Sequence, residues 1–201
     1  MKTCEYAGGV FPELRSHPWL ESTTDLAARY YDFTASPQLI RSVLEDFVPW
    51  GRYGAIETFY ALVQRLNHAR SAFETNDCEF SGPHANDQLE IPKAVGCSGR
   101  LMLLFRALEQ NTVEASVASL KNALHSNLSE LDQSFIWGLV GTTLVPTRYL
   151  ALPESHGQLG RQLMISFWAW GDSEADTMLN LGRLFTNLSR ALRNLDVRAT
   201  A

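Results

Sequence analysis

The chain has 201 residues, 45% hydrophobic and 19% charged, which excludes a disordered segment and suits one domain with its own core. Its formal net charge of −5 argues against nonspecific DNA or RNA binding, which needs a basic field over the phosphates. No stretch reaches the roughly 18–20 apolar residues of a membrane span, and MKTCEYAGGVFPEL lacks the apolar run of a signal peptide, so a cytoplasmic location without membrane contact is expected.

Residues 1–35 carry no clear period, although HPW at 17–19 and YYDFTASP at 30–37 are rich in aromatics. Ser36 followed by Pro37 is a helix start, with Leu39, Ile40, Val43, Leu44 and Phe47 at helical spacing and Pro49 to Gly51 as the stop. Residues 1–50 thus form an N-terminal extension with one helix. A second helix is expected from about Tyr53 to His68, with Ile56, Phe59, Tyr60, Val63 and Leu66 on one face. SAFETNDCEF at 71–80 is predicted as a strand, in which Asn76-Asp77 makes a turn or bulge. A long polar loop over 81–98 separates it from a strand at 100–108. Thr112 then caps a helix to about Leu128, with Val113, Val117, Leu120 and Leu124 as its stripe.

The second half repeats this plan. Residues 134–145 form a strand, and a loop with Pro146, Pro153 and Gly157 leads to a strand at 162–170. Ser173 and Asp176 make a capping pair for the last helix, whose stripe is Met178, Leu181, Phe185, Leu188, Leu192 and Leu195. RLMLLFRAL at 100–108 and QLMISFWAW at 162–170 match at an offset of 62: Leu101, Met102, Phe105 and Ala107 fall on Leu163, Met164, Phe167 and Ala169. Phe73 and Phe135 share that offset. The expected fold is therefore α+β, a single domain over 1–201. Tandem duplicated αββ units form a mainly antiparallel sheet with helices packed on it, one unit with its connecting helix at 53–130 and a second ββα segment at 131–201. This order resembles the duplicated αββ folds of small effector-binding domains. Element order alone carries the likeness, and it implies no function.

Alternation along each strand separates two faces. Leu101, Leu103, Phe105, Leu163, Ile165 and Phe167 form an apolar face for the helices. Met102, Leu104, Arg106, Met164, Ser166, Trp168 and Trp170 form a mixed face, either left open as a binding surface or covered by the N-terminal helices. Trp137 joins it if the second hairpin has a suitable register. Glu74 placed opposite Arg106 would pair with it there, with Ile136 and Trp168 at the matching positions of the other half. Glu74, Arg106, Trp137, Trp168 and Trp170 are thus the candidate ligand or partner-binding residues.

Catalytic signals are weak. GxGxxG, GxxxxGK[ST] and GxSxG are lacking, and the five histidines show no metal-ligand spacing, so no cofactor, catalytic or metal residue is expected. Strict alternation sets Glu74 on one face and Asp77 with Glu79 on the other, which breaks up an acid/base couple. Cys78 with His84 is a conceivable nucleophile and base, and His84 with Asp87 a conceivable ligand pair. Three cysteines make no disulfide framework, and Cys78 and Cys97 could face each other across a hairpin as reduced thiols. Three functions remain open. The first is a non-catalytic protein-binding domain, for instance an immunity or antitoxin-type neutraliser of a basic partner that uses the loop carboxylates Asp87, Glu90, Glu154 and Glu174. The second is a small-ligand sensor using the aromatic sheet face, and the third an enzyme without a short motif. A homodimer through the tryptophan face is a further expectation.

Overall fold

The computed structural model describes residues 1–5, 14–18, 30–153 and 157–199. Its strands are β1 (Lys2–Glu5), β2 (Arg15–His17), β3 (Phe73–Ala85), β4 (Val95–Phe105), β5 (Gly138–Tyr149) and β6 (Gln158–Gly171). Its helices are α1 (Ile40–Val43), α2 (Gly54–Leu66), α3 (Glu109–Thr112), α4 (Glu114–Glu130) and α5 (Glu174–Ala199). The expected α+β class and mainly antiparallel sheet are present. Strands run in the order β3, β4, β6, β5, with β1 and β2 in line along the outer edge of β5 and parallel to it. Among the described residues no helix is long and apolar enough to cross a membrane.

The two hairpins, β3–β4 and β5–β6, meet where β4 pairs antiparallel with β6. Met102 lies directly opposite Met164, with Leu101 opposite Ile165 and Leu103 opposite Leu163. The residues that face each other at the centre are therefore the pair separated by the repeat offset of 62, as a local twofold relation between the strands requires. Phe73 and Phe135 do not share this relation. Phe73 sits opposite Phe105, whose counterpart Phe167 sits opposite Val140, so Val140 holds the place assigned to Phe135. Phe135 precedes β5 and packs beneath the Arg183 guanidinium, 4.8 Å from its ring centroid.

All helices except α3 pack on one sheet face, where apolar residues at every second strand position meet apolar helix stripes. The centre is aromatic. Phe59 of α2 stacks on Phe47 at 4.4 Å, and Phe185 of α5 lies 4.9 Å from both Phe59 and Phe167. The helix expected after Ser36 is broken into a 3-10 turn at Pro37–Leu39, the single turn of α1 and a second 3-10 turn at Glu45–Trp50. Leu44 leaves the helical region (ψ 70°), and the break drives Phe47 between Phe59 and Phe80. These N-terminal turns cover the helix side of the sheet and not the tryptophan face.

Other boundaries shift for local reasons. Backbone pairing carries β3 and β4 outward to Ala85 and Val95, which shortens the expected 81–98 loop to 86–94. β5 continues through Pro146, which falls in the gap between the segments that β1 and β2 pair with and so has no lost N–H bond to replace there. Thr112 does not cap α4. Its hydroxyl donates to the Glu109 carbonyl, while the Asn111 carboxamide brackets the Phe105 backbone, accepting from its N–H (2.9 Å) and donating to its carbonyl (2.8 Å). The chain must finish that turn before α4 begins. The Ser173–Asp176 cap is present, with Asp176 N–H donating to Ser173 Oγ at 3.2 Å.

Gly99 faces the core opposite Phe167, and a Cβ there would stand 2.4 Å from both the Phe167 ring and the Glu79 carbonyl oxygen. Gly99→Ala is expected to destabilise the fold by about 1–3 kcal/mol through overpacking, read as a lower urea midpoint with an unchanged slope.

Candidate functional site

Between Thr75 and Asp77 the β3–β4 register shifts, and Asn76 is the extra residue. A bulge of this kind breaks strict alternation. Glu74 stands opposite Leu104, Asp77 opposite Met102 and Glu79 opposite Arg100, so all three carboxylates share the face that carries Met102 and Leu104. The expected separation of Glu74 from Asp77 and Glu79 is corrected by this one residue.

On the far edge of the sheet, Arg15 and His17 of β2 lie opposite Thr147 and Tyr149, and they point to the same face. Three strands, β5, β6 and β4, separate β2 from β3 by hydrogen-bonding order, yet their side chains touch. Arg15 Nη1 donates to Asp77 Oδ2 at 2.9 Å, and His17 Nε2 lies 3.0 Å from Glu74 Oε1. The sheet is therefore curled towards a barrel, with this face on its concave side. Buried Met102, Val145 and Met164 line its middle, and Leu104, Tyr149 and Leu152 close one end.

The concave cluster is mostly screened from solvent. Side-chain exposure is 7% for His17, 14% for Glu74, 11% for Arg15 and 12% for Asp77. Arg100 reaches Asp77 at 3.2 Å and Glu79 at 2.5 Å, so Asp77 lies between two guanidinium groups. His17 Nδ1 meets Asn76 Oδ1 at 3.0 Å, and Asn76 Nδ2 donates to Gln162 Oε1 at 3.2 Å. Gln162 is fully buried, and its Nε2 has no hydrogen-bond partner. This chain of donors ends on an unmet donor. Rings of Tyr30 and Tyr149 flank His17, each with its centroid 6.0 Å away. Burial, then the charges of Asp32 and Glu74, push the Tyr30 hydroxyl up to about 12. Burial holds Tyr149 still further above the usual range while its hydroxyl donates to the Arg161 carbonyl at 2.8 Å.

Of the residues singled out from sequence, Glu74 belongs to this cluster, but Arg106 is not its partner. Arg106 lies beyond the end of β4, where its guanidinium donates to the carbonyls of Ser71 (3.1 Å) and His68 (2.9 Å). The position matching Glu74 in the second hairpin is Gly141, not Ile136, because Leu104 corresponds to Ser166 and Ser166 faces Gly141. Trp168 and Trp170 do lie on the concave face, opposite Ser98 and Gly96, towards the end away from His17. Trp168 is partly exposed and Trp170 only 6% exposed. Trp137 packs against the helix-side core, with Lys93 Nζ 4.5 Å above its ring, and does not extend the concave aromatic surface.

Cys78 and Cys97 do not face each other, since Cys78 is opposite Leu101 and Cys97 opposite Ala169. Both are free thiols held above the usual range by burial, Cys97 at about 12. His84 is six residues from Cys78 along β3, about 20 Å away, so they form no nucleophile–base pair. Among the described residues no group of three or more His, Cys, Asp or Glu side chains is placed to hold a metal ion. Glu154 and His156 lie outside the described residues.

Sequence reasoning missed Arg15, His17, Asn76 as a site residue, Arg100 and Gln162. Arg100 and Gln162 stand at the repeat offset of 62 and were the polar first letters of the matched strands, which is the signal that could have found them. Arg15 and His17 come from a segment without a period and gave no signal. No family model, curated protein or solved structure matches the chain.

Removing the charge of Asp77 takes a carboxylate from the largely screened Arg15 and from Arg100, which keeps Glu79. Asp77→Asn is expected to lower stability by about 3–5 kcal/mol, against under about 1 kcal/mol for half-exposed Glu79→Gln, both measured by urea unfolding.

Proposed function

We propose that the protein is a small-ligand-binding domain whose ligand meets the concave face of the sheet, presenting a hydrogen-bond acceptor to Gln162 and an apolar or aromatic part towards Trp168. The observation that carries this reading is the buried Gln162 Nε2 without a partner. A buried, unmet amide donor costs about 1–3 kcal/mol, and a binding site is where such a cost has a use. The polarity of the chain selects the ligand class. Asn76 Nδ2 occupies Gln162 Oε1, so the free end is a donor and calls for a carbonyl, carboxylate or similar oxygen. Met164, Ser166 and Trp168 follow Gln162 on the same face, which gives a track that grades from polar to aromatic.

A specific feature also favours the protein-binding reading. The 86–94 loop is pinned by Asn86, whose Nδ2 donates to the carbonyls of Ile91 (3.0 Å) and Lys93 (2.8 Å). It presents Leu89, 97% exposed, between Asp87 and Glu90. An apolar anchor ringed by carboxylates suits a basic protein surface. Gln162 favours the first reading more strongly, because an exposed leucine is common and a desolvated unmet amide is not.

Gln162→Leu separates the two. With no ligand present its urea-unfolding stability should fall by no more than about 1–3 kcal/mol, since the orphaned Nε2 leaves with the amide while Asn76 Nδ2 loses its Oε1 acceptor and keeps only the 3.5 Å contact with the Ser16 carbonyl. In a thermal-shift screen of small carboxylic acids and amides, compounds that stabilise wild type should fail to stabilise Gln162→Leu. Compounds that stabilise both equally, or a screen with no stabilising compound, would count against the concave-face ligand.

A further inference from the structure

A second, separate place in the molecule also carries unmet donors. Where α2 ends, Gln64, Arg65, His68, Arg70 and Ser71 line a cavity of about 380 Å³ with Asp196 of α5, within the roughly 300–1,000 Å³ range of small-molecule pockets. The Arg65 side chain is 23% exposed. Its Nη2 donates to the Ser189 carbonyl at 3.3 Å, but Nε and Nη1 are buried without a hydrogen-bond partner. Asp196 Oδ2 stands 3.7 Å from Nη1, beyond hydrogen-bond range, and its Oδ1 accepts the Ala72 N–H at 2.7 Å.

The other walls also offer donors. His68 Nδ1 accepts the Arg70 backbone N–H at 3.2 Å, which leaves the imidazole N–H on Nε2. Ser71 Oγ accepts the Phe73 N–H at 3.1 Å and keeps its own hydroxyl proton to give. Arg106 ties the loop into shape through the carbonyls of His68 and Ser71, and Arg193 adds positive charge near Arg65. Against these arginines the lining holds one carboxylate among the described residues, Asp196. On a chain of net charge −5 the described lining is locally basic.

We infer that the cavity at the end of α2 is a binding site for a phosphate-class oxyanion, held by Arg65, His68, Arg70 and Ser71. A tetrahedral oxyanion has enough acceptors to meet the Arg65 Nε–H and Nη1–H together with the Ser71 hydroxyl, and guanidinium–phosphate hydrogen bonds are among the stronger ones. The site lies on the helix side of the sheet and does not depend on the concave-face ligand.

The test titrates inorganic phosphate into the full chain, followed by 31P NMR and by thermal shift, against sodium chloride and sodium acetate at matched ionic strength. Phosphate at about 10 mM should raise the melting temperature above both controls, and exposed Arg70→Glu should weaken phosphate binding by about tenfold or more. Arg52→Glu, remote from the cavity, should leave it unchanged, and Arg65→Lys should weaken it if that variant folds. No effect beyond the chloride control, equal binding of acetate, or undiminished binding by Arg70→Glu would overturn the assignment.

Discussion

The contact across the concave face, Arg15 to Asp77 and His17 to Glu74, sets the shape of the whole sheet. Antiparallel strands twist, and an open sheet with helices on one side leaves its other face to water. Here the two outer strands send charged side chains inward until they meet, and the face between them becomes a second interior. Met102, Val145 and Met164 fill its middle, Leu104, Tyr149 and Leu152 close one end, and the charged and amide groups lie among them. Buried charge pairs of this kind contribute little net stability compared with apolar packing. Their value is positional: they hold Asn76 and Gln162 in the one arrangement that leaves a donor unmet.

The repeated strand explains how one sheet supports two such different faces. On the helix side the repeat keeps like with like, as with Leu101 and Leu163, Leu103 and Ile165, and Phe105 and Phe167, because both halves pack on the same aromatic centre. On the concave side the offset joins like residues at Met102 and Met164 and unlike ones on either side, Arg100 with Gln162 and Leu104 with Ser166. The first half supplies the guanidinium that neutralises Asp77 and Glu79. The second supplies the amide and the tryptophans. Divergence is thus concentrated on the concave face, with Gly99 and Arg161 an unlike pair on the helix side.

Much of this fold was legible in the sequence, and the reasons for the failures are specific. α2 and α5 announce themselves by long apolar stripes, and β4 and β6 by alternation and by their likeness to each other. The first helix failed because tertiary packing of Phe47 outweighed a regular stripe. The candidate site failed on parity. Asn76-Asp77 is readable as a bulge, but strict alternation carried through it parts Glu74 from Asp77, while setting Glu74 opposite Arg106 puts the strands two residues out of register, since Glu74 faces Leu104. Strands of three and four residues, such as β2 and β1, are too short to carry a period, and they acquire their conformation from pairing with β5. Half of the charge cluster therefore comes from a segment in which local sequence holds no information about its partner 60 or so residues away.

The meeting of the two sheet edges is best tested by a double-mutant cycle between Arg15 and Asp77, using Arg15→Met, Asp77→Leu and the double variant, with urea unfolding as the readout. Side chains on opposite edges of an open sheet would give additive effects within about 0.3–0.5 kcal/mol. Closure of the edges predicts a coupling energy above about 1 kcal/mol, with the double variant more stable than the sum of the single losses implies. Additivity within error would contradict the curled sheet and, with it, the enclosed polar face on which the ligand reading stands.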